Sequence, residues 1–168
     1  MYQDILYPTD GSGGATAALE HAGDLAEKYD ATVHVLYVLN TSEPGLGLGE
    51  DPDKEHAPGM IGHPSGEGAG MIGGRETHDE LLERQEEYGE AVVEAVADRL
   101  EGVDVETAVR TGTPHETILD YAEEHADIIV MGTHGRTGMD RYLLGSVTEN
   151  VVRMSEVPVV TIRRGEEA

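Results

Sequence analysis

The sequence predicts an α/β protein: one doubly wound, five-stranded parallel sheet of order 3-2-1-4-5, with helices on both faces. Three observations carry this prediction. Short apolar runs alternate with helical patterns along the whole chain, the signature of strand–helix–strand units and a parallel sheet. Three of the runs are apolar at nearly every position, as strands covered on both faces are. The last run contains Pro158, which cannot donate to a ladder and so places that strand at an edge.

The elements follow in order. "DILYPT", residues 4 to 9, is the first strand, ended by Pro8 and Asp10. Ala15, Leu19, Ala22 and Ala26 then recur on one helical face. "TVHVLYVL", 32 to 39, is a second, doubly covered strand. A second helix opens at Thr77, whose spacing to Glu80 makes a capping box, and runs to about Leu100. "VDVETAV", 103 to 109, alternates apolar and polar, which suits the edge opposite the last strand. The third helix has Thr113 as N-cap, Pro114 in its first turn and Glu116 closing a second box. "DIIVM", 127 to 131, is the fourth strand. "SVTE", from Ser146 to Glu149, reads as a third box opening a helix that turns Val147, Val151 and Met154 inward. "VPVVTIR", 157 to 163, closes the sheet. All of this fits a single domain over 1–168, interrupted at 43–77 by a stretch holding 10 of the 22 glycines and 4 of the 7 prolines, expected to be a flexible loop.

Composition narrows the function. There is no cysteine, which excludes disulfides, thiolate metal sites and thiol catalysis. No apolar run approaches the roughly 20 residues of a membrane helix, and the N-terminus lacks the basic start of a signal peptide. The expectation is a soluble, cytoplasmic protein with no membrane partner. Thirty-four acidic residues against 11 basic give a formal charge of −23, which argues against a nucleic-acid partner. Acids spread over all the helices, with lysine only at Lys28 and Lys54, suggest a halophilic surface whose self-repulsion is screened by salt.

In that strand order the winding reverses between strands 1 and 4, and ligands of open α/β sheets bind at such a switch point. The stretches there are "PTDGSGG" and "GTHG". The first fails as a dinucleotide fingerprint, because Thr16 stands where a third glycine belongs, and no Walker lysine is present. The stretch from Gly132 to Ser146 does better. Glycines let backbone N–H groups approach a phosphate, and a helix beginning at Ser146 adds its own N–H groups and dipole. From Gly132 to Arg164, Arg136, Arg141, Arg153, Arg163 and Arg164 face three acids, a local +2, while the rest of the chain is −25. Ser146 could equally be no more than a cap, with the glycines as turn residues. His56, His63 and His78 match no metal-ligand spacing and read as solvated.

The spacing Gly132-x2-Gly135-x9-Gly145-Ser146 matches the nucleotide-binding signature of the ATP-binding universal stress proteins. "YPTDGS", "VPVVTIR" and the strand–helix order resemble the same family over nearly the whole chain, apart from 43–77. The resemblance implies ATP across the switch point, with a divalent ion, Mg2+ or Mn2+, bridging its phosphates. It implies that Asp10 holds the ribose, that Pro8, Thr9 and Val38 line the adenine site, and that Met131 joins the cofactor-binding set. Gly132, Gly135, Gly145, Ser146, Val147 and Thr148 would hold the phosphates. For Asp10 the alternative is a cap on the first helix. Many such proteins form a homodimer through the last strand, 157–163. The expected function is that of a stress or regulatory protein binding an adenine nucleotide, at most a slow ATPase. The alternative is an ATP-consuming enzyme of the related pyrophosphatase or hydrolase branch, with 43–77 as its lid.

Overall fold

The structure is a computed structural model, described here over residues 1–11, 15–41, 77–133 and 144–163. The elements are β1 (Asp4–Thr9), α1 (Ala15–Tyr29), β2 (Thr32–Asn40), α2 (His78–Ala97), β3 (Val105–Gly112), α3 (Pro114–His125), β4 (Ile128–Gly132), α4 (Ser146–Met154) and β5 (Val159–Ile162). They form a five-stranded parallel sheet of order β3-β2-β1-β4-β5, as the sequence predicts.

Successive strand residues point to opposite faces, so each inner strand splits its apolar side chains between two cores. Ile5, Tyr7, Val33, Val35, Tyr37, Leu39, Ile128 and Val130 meet Ala18, Leu19, Ala22 and Ala26 of α1 and Val93 of α2 on one face. Leu6, Leu36, Ala108, Ile129 and Met131 meet Ile118, Leu119 and Ala122 of α3 and Val151 of α4 on the other. Burial on both faces explains why these strands read as unbroken apolar runs.

Several boundaries differ from the expectation, each for a local reason. α2 stops at Ala97 with Asp98 as its C-cap, and Leu100 packs into the core from the turn beyond. Gly102, at φ +78°, delays β3 to Val105, and pairing with β2 carries it on to Gly112 opposite Asn40. The Thr77–Glu80 box on α2 forms with both of its bonds. The one expected at Thr113 does not: Thr113 is the N-cap but makes no side-chain cap bond, and Pro114 leaves one donor fewer to satisfy. At α4 the cap is Gly145, so Ser146 is the first helical residue and no Ser146–Glu149 box exists. Thr148 and Val151 are the buried positions of α4 and Val147 is half-buried, whereas Met154 is exposed, in the last turn before the chain leaves for β5. β5 itself is shorter than 157–163. Val157 N–H is taken by Ser155 Oγ, and Pro158 contributes only its carbonyl, which accepts from Ile129 N at 2.9 Å.

A buried imidazole borders the second core. His34 on β2 is bonded through Nε2 to Asp4 Oδ1 (2.9 Å) and through Nδ1 to the Tyr121 hydroxyl (3.1 Å). Both ring nitrogens are therefore satisfied, as burial of an imidazole requires.

Candidate functional site

The crevice begins where two strands part. β1 pairs with β2 over six residues, to Thr9, but with β4 only at Ile5–Ile128 and Leu6–Ile129. Beyond Leu6 the two central strands no longer share a ladder, and the winding of the sheet reverses at this seam.

On the β1 side, Thr9 is buried and Pro8 and Asp10 are half-buried. Thr9 Oγ1 accepts from Gly11 N at 3.1 Å, a tight turn that holds Asp10 at the end of the strand. Gly11 takes φ +78°, where side-chain residues are strained. A β-carbon there would also meet the Tyr88 hydroxyl and Val92 Cγ2 of α2, each at 3.3 Å. Tyr88 in turn packs edge-on against Tyr37, with ring centroids 6.0 Å apart. Val38, half-buried on the face of α3, lies one residue beyond the β1–β2 ladder. Tyr88 was not foreseen from sequence. Its only signal there is its place on the apolar stripe of α2, which speaks of packing.

On the β4 side, Met131 is buried in the second core and Gly132 ends the strand. Three bonds fasten this end. Thr133 N donates to Ile162 O of β5 at 3.0 Å, and Gly145 N donates to Thr133 O at 2.8 Å. The Thr148 hydroxyl donates to Gly132 O at 3.0 Å. Gly132, Gly145, Ser146, Val147 and Thr148 are thus brought together. Gly135 lies outside the described residues, as do Arg136, Arg141, Arg164, His56, His63 and the whole of 43–76.

The start of α4 differs chemically from that of α2. Thr77 and Glu80 occupy donors at the head of α2. Gly145 has no side chain to do so, which leaves the N–H groups of Ser146, Val147 and Thr148 without a cap or a preceding helix carbonyl. Their partial positive charge favours an anion. The arginines supply less than their number suggests, since exposed Arg153 is paired with Glu149 one turn away. Among the described residues no three His, Asp or Glu side chains converge as a metal site, and no helix is long and apolar enough to cross a membrane.

The fold and this junction define a class: a doubly wound α/β protein with an anion-receptive helix terminus at its switch point. Comparison with known proteins makes the class specific. The sequence profile of the universal stress protein family matches residues 1–59 and 63–163. Universal stress protein MJ0531 of Methanocaldococcus jannaschii is 33% identical over 165 residues, covering 98% of this chain and 84% of that protein. MJ0577 of the same organism is 34% identical over 167 residues, covering 98% and 96%. Its solved structure superimposes with a TM-score of 0.74 over 99% of both chains. A universal stress protein from Archaeoglobus fulgidus, solved in complex with dAMP, shares the fold at 24% identity and a TM-score of 0.56, covering 96% and 98%. The chain belongs to the universal stress protein family.

Proposed function

We propose that this chain binds an adenine nucleotide, ATP with Mg2+ or Mn2+, in the crevice between β1 and β4, and acts as a cytoplasmic stress or regulatory protein. The observation that carries the proposal is the glycine-capped start of α4, fastened to the end of β4 three residues beyond the last β1–β4 pair. N–H groups that the glycine cap leaves open at the start of a helix favour a phosphate. Family membership and the complete Gly132–Ser146 signature support the same ligand.

In this proposal Asp10 accepts the ribose hydroxyls, Pro8, Thr9, Val38 and Met131 line the nucleoside end, and Gly132, Gly135, Gly145, Ser146, Val147 and Thr148 hold the phosphates. A magnesium-type ion suits this reading, because such ions are commonly held by substrate phosphates and water with only one or two protein oxygens. Bound there, it would neutralise phosphate charge. In this proposal the nucleotide is held rather than turned over, and hydrolysis is slow or absent.

The test is direct. Protein purified in molar salt is denatured, and released small molecules are identified by mass spectrometry. Stripped protein is then titrated with ATP in a calorimeter. Release of an adenine nucleotide and saturable ATP binding are expected, and a chain that neither carries nor binds one refutes the proposal.

A further inference from the structure

The carbonyl of Gly132 poses a question that the strand order answers. Ile129 N and Thr133 N both bond to β5, so along β4 the odd-numbered residues turn their backbone groups to β5 and the even-numbered ones to β1. Gly132 O therefore points into the seam between β4 and β1. The β1–β4 ladder has ended three residues earlier, at Ile129, so although β1 runs on to Thr9 it does not pair with Gly132. Left open, this oxygen would be an unsatisfied acceptor, and its lone pairs would face the place proposed for phosphate.

Thr148 supplies the missing partner. It is 3% exposed, sits at the third position of α4, and donates its hydroxyl proton to Gly132 O at 3.0 Å. We propose that Thr148 is a positioning residue for the phosphate end of the bound nucleotide, an inference that rests on the nucleotide-binding reading above. Its side chain does two things at once. It quenches a carbonyl that would repel an anion, and it pins the first turn of α4 to the end of β4. The Gly145–Thr133 bond fixes that turn at one point, and the Thr148–Gly132 bond fixes it at a second. Two points set the direction in which the N–H groups of residues 146–148 aim, where one would leave a hinge. Thr148 thus acts through the backbone it holds, while its own N–H belongs to the cradle.

The experiment compares wild type, Thr148→Val and Thr148→Ser in calorimetric titrations with ATP, ADP, AMP and adenosine at high salt, beside thermal unfolding without ligand. Valine keeps the shape and removes the donor, and serine keeps the donor. The expected result is that Thr148→Val weakens ATP binding about tenfold, the scale of one buried hydrogen bond. The loss shrinks as phosphates are removed and vanishes for adenosine, and Thr148→Ser restores most of the ATP affinity. ATP affinity unchanged in Thr148→Val, or equal losses for ATP and adenosine, overturns the assignment. Should the valine variant not fold, Thr148→Ala removes the same donor with less bulk. If that also fails to fold, the hydroxyl serves the fold alone and the assignment falls. Failure of the wild type to bind ATP at all instead overturns the nucleotide reading, and this inference with it.

Discussion

The hydroxyl of Tyr88 lies 3.3 Å from the point where a β-carbon on Gly11 would stand. Helix α2 is thereby seated directly on the turn that follows Asp10, and the turn's left-handed residue has neither the dihedral freedom nor the space for a side chain. Gly102 shares the same φ of +78° but has nothing within 4 Å of its would-be β-carbon. The pair separates two costs. Gly102→Ala is expected to lose about 1 kcal/mol from backbone strain alone. Gly11→Ala is expected to lose more, about 2 kcal/mol, because Tyr88 and Val92 must also move. Denaturant midpoints measured side by side check this, and equal losses would show that α2 yields freely.

A second prediction sets stability against binding. Gly145 has φ −58° and ψ 150°, which any residue adopts, so an acidic cap fits there without strain. Gly145→Asp would accept from the Val147 or Thr148 N–H and leave stability equal or a few tenths of a kcal/mol higher. The same carboxylate takes the donors proposed for phosphate and adds repulsion. ATP affinity is expected to fall at least about tenfold. Thermal unfolding and calorimetry on one preparation test both halves, and retained affinity would place the phosphates elsewhere.

Much of this was legible in the chain, and the exceptions are instructive. The strand order came from apolar density and from Pro158, both consequences of which faces and edges are covered. Gly145 and Ser146 were legible as a pair, but not which of them is the cap. A serine followed three residues later by Glu149 satisfies the box pattern, while contact of Gly145 N with Thr133 O decides the outcome in three dimensions. His34 was hidden for the same kind of reason: its partners Asp4 and Tyr121 lie 30 and 87 residues away. The Thr148–Gly132 bond depends on where the β1–β4 ladder stops, which no local pattern encodes.

Alkaline pH gives a third prediction. Tyr7 is 1% exposed, and burial pushes its hydroxyl up from 10.0 to about 12, against the smaller lowering effect of its bond to Thr9. Burial raises Tyr121 as well. Above pH 10 the unfolded chain releases the Tyr7 proton while the folded chain keeps it, so rising pH favours unfolding. The stability that Tyr7 contributes is present below about pH 10 and is lost progressively toward pH 12, amounting to about 2–3 kcal/mol for this group. Tyr7→Phe is expected to flatten that part of the pH–stability curve. An unchanged slope would mean that Tyr7 ionises in the folded state as it does in the unfolded one.

The last prediction concerns β5, which we propose as the contact of a homodimer. Among the described residues it pairs with β4 alone, its four side chains are only half-buried, and α4, packed against it, exposes Val152 and Met154. An apolar edge of this kind invites a second strand, and a two-fold axis running two copies antiparallel would close the assembly. The alternation along β5 says which residues would make the contact. Pro158 O and Ile162 O accept from β4, so the backbone groups of Val159 and Thr161 point the other way, to the open edge. Thr161→Pro removes an outward donor and leaves the ladder to β4 in place, whereas Val160→Pro would cut that ladder. Two chains of −23 repel, so the dimer is expected to strengthen as salt rises toward molar concentrations. Light scattering across a salt series checks both points. The expected outcome is a wild-type dimer in molar salt and a folded, monomeric Thr161→Pro variant. A wild-type monomer under those conditions, or a variant that dimerises as well as its parent, places the contact elsewhere.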